Sequence, residues 1–209
     1  MAGGILALAS SVLLSACSVF GVRTVEEPKY RIVAQSGEVE IREYGPRLAA
    51  EAVVAGDEMA ARSAGFRRVA AYIFGANQTK ASIAMTAPVA QDHGSAVIAM
   101  TAPVDQARGQ DGKWRIRFFM PASYTEATLP VPTDPGVQIV TVPPQTAAVL
   151  RYSGVASESA VQTAAARLLK ALEGSGWHAI GAPMAWFYDP PWTLPPLRRN
   201  EAAVAVARD

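Results

Sequence analysis

Seven residues, Ile83 to Val89, and seven more, Ile98 to Val104, spell the same word, Ile-Ala-Met-Thr-Ala-Pro-Val, fifteen positions apart. Each copy can run extended until its proline, which has no amide donor and pushes the residue before it out of the helical region. Two short strands with matched ends are expected. Alternation then puts Ile83 with Met85, and Ile98 with Met100, on shared faces that form an apolar wall for a ligand.

A second recurrence surrounds the first. Strands are expected at Tyr30 to Ala34, Val39 to Tyr44 and Leu48 to Val54, broken at Ser36-Gly37 and turned at Gly45-Pro46. Asp57 can cap a helix with Glu58 in its first turn; Met59, Phe66, Val69, Ala70 and Ile73 fall on one stripe before Gly75 closes it. Trp114 to Met120 reads as a strand, and the proline-rich piece from Pro121 to Pro135 as a loop at the middle of the domain. Then the theme returns. Strands are expected at Val137 to Val142 and Thr146 to Tyr152. A helix begins near Ser157 with Val161, Ala165, Leu168, Leu169 and Leu172 on one side, and strands near Pro183 to Tyr188 and Ala202 to Ala207 flank the Pro190 to Pro196 loop. Strands, helix, strands, twice over, predict an α+β layout with two helices packed on antiparallel sheet.

Half of the 209 residues are hydrophobic, enough for one substantial core. Nineteen basic against eighteen acidic residues, with no basic run interleaved with aromatics, argue against a nucleic-acid partner. The first sixteen residues carry no charged side chain, and Ile5 to Leu14 is an apolar run the size of a signal-peptide core, half of the roughly twenty residues a spanning helix needs. Leu14-Ser15-Ala16-Cys17 matches a bacterial lipobox. Residues 1–16 are therefore expected to be a signal peptide, Cys17 the lipidated first residue, 17–29 a tether and 30–207 the folded domain. Ser18 after the cysteine favours the outer membrane, with the domain facing the periplasm.

The repeated word resembles the signature of the SOUL haem-binding family. The surroundings agree: Val39 to Pro46, Phe66 with Ala71 to Asn77, Trp114 to Pro121, Leu129 to Pro132, Tyr188 to Pro191 and Arg198 to Glu201 stand in the family's order from about Tyr30 to Val206. The resemblance implies an α+β fold of two pseudo-repeated halves, an antiparallel sheet forming a distorted barrel-like core with two packed helices. It also implies a haem or related porphyrin as ligand. The helix stripe lies beside Arg62, Arg67 and Arg68, the combination of apolar surface and guanidinium that a flat dicarboxylate requires. Phe66, Val69, Ala70, Ile73, Arg62, Arg67, Met85 and Met100 are the candidate contacts.

No axial ligand stands out. Some family members carry His where this chain has Glu43, and carboxylate is an uncommon haem ligand; Glu43 is expected to pair with an arginine such as Arg198 or Arg199, or to reach solvent at the strand end. His93 and His178 read as surface imidazoles, and Arg198-Arg199-Asn200-Glu201 as a loop staple. Zinc spacings, His-Glu-x-x-His, Walker loops and Gly-x-Ser-x-Gly elbows are missing, so a non-enzymatic binding protein is expected. The alternatives are a module for other amphipathic molecules, a hydrolase using Glu43, or a structural lipoprotein.

Overall fold

A computed structural model describes residues 25–79, 98, 101–109 and 111–209. Their α+β architecture is a large curled antiparallel sheet, a half-barrel, with two helices. Its backbone is a long bent ribbon. Strands β1 (Tyr30–Ser36), β2 (Val39–Tyr44) and β3 (Arg47–Val54) lead into helix α1 (Glu58–Ile73). Strands β8 (Val137–Val142) and β9 (Gln145–Tyr152) lead into helix α2 (Glu158–Leu172). β2 pairs with β9 and β3 with β8, so Tyr44 faces Gln145 on one side of the bend and Arg47 faces Val142 on the other. The register is continuous. Gly45-Pro46 therefore lies opposite Pro143-Pro144, and the missing amides of facing prolines break the ladder in both strands at one place.

Each half then adds two strands. β5 (Val104–Arg108) and β6 (Trp114–Phe119) form a hairpin whose second strand pairs with β3. β11 (Met184–Phe187) and β12 (Asn200–Arg208) do the same on β9, and β5 pairs with β11 to join the halves. Short strands β4 (Asn77–Gln78) and β7 (Val131–Pro132) pair with each other, β10 (Trp177–Ala179) pairs with β12, and a 3₁₀ turn covers Pro195–Leu197. The Pro121–Pro135 loop thus contains a strand, β7.

The second repeated word behaves differently from the expectation. Its proline precedes a strand instead of ending one, because the paired stretch begins at Val104; Ile98 is not in a strand. Ile98 is instead buried among Val69, Tyr72 and Ile73, and its amide donates to the Ile73 carbonyl at 2.9 Å. It is core, not ligand wall. Met100 and the first word, including Met85, lie outside the described residues, as do Cys17 and His93.

Both helix starts are capped as the sequence indicates, Asp57 accepting from the Ala60 amide at 2.9 Å and Ser157 from the Ala160 amide at 3.2 Å. The α1 stripe, however, is rotated. Its buried side is Ala61, Gly65, Val69, Tyr72 and Ile73, while Met59 and Phe66 are 45% and 43% exposed. Small residues let the helix approach the sheet: the Gly65 backbone lies against Ile116, where a β-carbon has no room. On α2, Ala164, Leu168 and Leu172 are buried and Leu169 is exposed. No helix among the described residues is long and apolar enough to cross a membrane.

Candidate ligand site

Strand alternation gives the sheet two unlike faces. One carries the helices: Ala50, Ala52 and Phe118 pack with α1, and Ile41, Leu150 and Val204 with α2. On the other, Ala49 with Phe119 and Val142, and Tyr44 with Trp186 and Tyr188, form separate clusters. The helix-free face also carries a row of charge. Glu51, Arg117, Asp105, Trp186 and Glu201 are successive cross-strand partners on five neighbouring strands.

The row is closed by hydrogen bonds. Arg117 donates to Glu51 at 2.6 Å and lies 3.6 Å from Asp105, which also accepts from the Trp186 indole at 3.1 Å. Glu201, fully buried, accepts from both terminal nitrogens of Arg42 at 2.9 and 3.1 Å, from Tyr188 Oη at 2.6 Å and from Arg199 Nη2 at 2.8 Å. Burial pushes the Glu201 carboxyl upward, but the hydrogen bonds and charges of Arg42 and Arg199 bring it below its ordinary value. Asp105 is held above its ordinary value because burial outweighs Arg117 and the indole. Burial likewise lifts the Tyr44 phenol to about 12.

Between these two ion-paired groups lies a cavity of about 10 Å³, the room of one water. Tyr30, Tyr44, Phe119, Trp186 and Tyr188 line it with Arg47. Residues 25–28, the last part of the stretch read as a tether, are docked over it: Val25 packs on the Trp186 cluster, Glu26 bridges to Thr101 and Glu27 pairs with Arg199 at 3.0 Å. A macrocycle has no space here.

The expected contacts on α1 lie on the opposite face of the sheet and are divided among themselves. Val69 and Ile73 are sealed in the core, and Ala70 is half-buried. Phe66 lays one side against Phe118, ring centres 5.2 Å apart, and opens the other to solvent. Arg62 is anchored to the Ala156 carbonyl at 2.8 Å and lies over the Phe187 ring at 4.7 Å; burial lowers its pKa. Arg68 sits 3.7 Å from Asp134. Arg67 is exposed and makes no ion pair among the described residues. Nearby, an open groove of about 290 Å³ runs along α2 past Tyr152, Thr163 and Arg167, at the lower end of the roughly 300–1,000 Å³ usual for small-molecule sites.

Glu43 pairs with Arg31 across β1 and β2 at 2.5 Å, not with Arg198 or Arg199. The reason is alternation: Glu43 shares the side of Ile41, whereas Arg199 belongs to the charged face. Arg198 does staple the loop, through the carbonyls of Thr193 and Pro191. His178 is exposed and lies 2.7 Å from Asp209. Among the described residues no group of three His, Cys, Asp or Glu side chains could hold a metal ion. Sequence reasoning missed Arg47, Asp105, Trp186 and Tyr188; the alternating charges of Glu40 and Arg42 in β2 were the available signal.

The described residues form a two-helix antiparallel half-barrel with one polar, aromatic-lined face, which places the chain in the α+β class. The chain belongs to the SOUL heme-binding protein family, whose family model matches residues 25–205. No curated protein matches it. Among solved structures it is similar to the C-terminal domain of EcmrR, with a TM-score of 0.55 at 10% identity over 86% of this chain and 99% of that one. It is also similar to EcmrR in its DNA complex, with a TM-score of 0.58 at 9% identity over 82% of this chain and 57% of that one. A hydrolase from Listeria innocua matches with a TM-score of 0.50 at 14% identity over 84% of this chain and 94% of that one. At such identities the likeness is one of fold.

Proposed function

We propose that the protein is a non-enzymatic haem- or tetrapyrrole-binding protein of the bacterial envelope, serving transport, buffering or sensing, and that the ligand lies on the outer side of α1. The observation that carries this reading, beside family membership, is the exposed apolar surface of Met59 and Phe66 next to Arg62 and to Arg67, which is exposed and makes no ion pair among the described residues. These residues fit the edge and carboxylates of a porphyrin. The macrocycle would supply its iron chemistry, while the chain supplies apolar contact through Phe66 and charge-assisted hydrogen bonds through the arginines. No His or Cys among the described residues stands on this surface, so binding rests on the ring and its carboxylates instead of a strong axial bond. Glu43, the residue the hydrolase alternative would use, is engaged by Arg31 in an exposed ion pair.

Titration of the chain lacking residues 1–17 with hemin tests the reading. A saturable Soret change is expected, weakened at least tenfold by Phe66→Ala or Arg67→Glu. A flat isotherm overturns it. The anchor rests on the lipobox: labelled palmitate should enter the wild-type chain but not Cys17→Ser, which should leave the membrane fraction.

A further inference from the structure

Arg47 is the charged group at the cavity whose obvious donors are unused. Its guanidinium carbon lies 4.4 Å from the Tyr44 ring centre and 4.5 Å from that of Phe119, so aromatic rings serve its π faces. Its Nε and Nη2 are fully buried and have no hydrogen-bond partner among the described residues. Those two nitrogens form one edge of the guanidinium. Their parallel N–H bonds are the fork that a carboxylate accepts with both oxygens.

The neighbouring acids do not fill it. Glu27 is engaged by Arg199, Asp105 by Arg117 and Trp186, and Glu201 by Arg42, Arg199 and Tyr188. Buried donors left without an acceptor are costly, more so when charged, so two of them side by side on a residue that lines a cavity call for an acceptor. Donor geometry, charge and rings select the occupant together. We propose that this cavity is a binding site for the carboxylate of a small organic acid, held bidentate by Arg47 Nε and Nη2, with Tyr30, Trp186 and Tyr188 receiving the acid's flat apolar portion.

Glu27, Pro28 and Tyr30 line the cavity, so the docked segment of residues 25–28 adjoins the ligand. The enclosed volume of about 10 Å³ has the room of one water, so the ligand's carboxylate takes that place and its remainder displaces the docked residues 25–28. The site is on the face opposite α1. It does not rest on the tetrapyrrole reading.

The test uses the full-length chain in a mild non-ionic detergent, isotopically labelled so that the Arg47 Nε–H and Trp186 Nε1–H resonances are observed during titration with benzoate, acetate and, as an ionic-strength control, sodium chloride. Benzoate should shift the Arg47 signal saturably, acetate more weakly, and chloride not saturably. Arg47→Lys, which keeps the charge and loses the fork, should weaken benzoate at least tenfold, and Arg167→Lys on α2, in a surface pair with Glu38, should leave it unchanged. An Arg47 resonance that moves only in proportion to salt, or an Arg47→Lys chain that binds benzoate within twofold of wild type, overturns the proposal. If the Arg47 variant fails to fold, the wild-type resonance alone decides. Hemin in excess should leave the Arg47 signal where it is, which separates this site from the outer one.

Discussion

Arg42 and Glu201 stand on strands that are not neighbours, β2 and β12 with β9 between them, and still meet through two hydrogen bonds of 2.9 and 3.1 Å in a site closed to water. On β9 Arg42 is level with Ala147 and Glu201 with Arg151, so the two side chains meet diagonally across that strand. Arg199 and Tyr188 complete the coordination of the same carboxylate. Glu201→Ala therefore removes the shared carboxylate of two largely buried guanidiniums, leaving Arg42 with Glu40 and Arg199 with Glu27. A loss of about 3–5 kcal/mol is expected, measured as a lower urea midpoint with an unchanged slope.

Two buried carboxyls of this face, Glu201 and Asp105, are shifted in opposite senses. Glu201 is depressed in the fold, so its stabilisation is full above the ordinary carboxylate range and is lost as pH falls through its folded value. Asp105 is raised, so its ionisation opposes folding at neutral pH and that opposition fades as pH falls through its folded value. Asp105→Asn should therefore be less harmful at pH 7 than at pH 4.5, relative to wild type at each pH. Urea unfolding at both values checks the sign. A variant equally destabilised at both would show that the raised carboxyl has no bearing on stability.

Much of the layout was legible because the main strands alternate and both helices announce their starts through Asp57 and Ser157. β5 was not, since Asp105 and Gln106 give it no apolar period, although both are buried. A row of buried ion pairs has the same sequence pattern as a wet surface, and only the cross-strand registers distinguish them. The same ambiguity concealed the Arg47 cavity, whose lining comes from strands far apart in sequence. On α1 the error had another source: a buried side made of Ala61 and Gly65 carries little hydrophobic signal, whereas Met59 and Phe66 carry much of it and face solvent.

That helix geometry makes Gly65 a sensitive position. Gly65→Ala raises helix propensity by about 1 kcal/mol, yet the new methyl must enter the space of Ile116 on β6. Overpacking of a closed core costs about 1–3 kcal/mol, so the balance should be a net loss. Shortening the neighbour by Ile116→Ala in the same chain should recover part of it. A double-mutant cycle by thermal or urea unfolding reads the coupling; additive losses would mean that the helix shifts instead of clashing.

Ile73 and Phe66 lie on one α-helix stripe by sequence but are separated by their surroundings, and this separates stability from binding. Ile73 is buried among Val69, Ile98 and Phe118, so Ile73→Ala should cost about 2–5 kcal/mol. Phe66 keeps one side in solvent and leans on Phe118 with the other, so Phe66→Ala should cost only about 1 kcal/mol, the scale of an aromatic pair contact. In hemin titrations the order should reverse. Folded Ile73→Ala should bind nearly as wild type, whereas Phe66→Ala loses the exposed ring on which a macrocycle can rest. Parallel unfolding and Soret titrations of the two variants decide the matter, and equal hemin affinity in both would move the ligand away from α1.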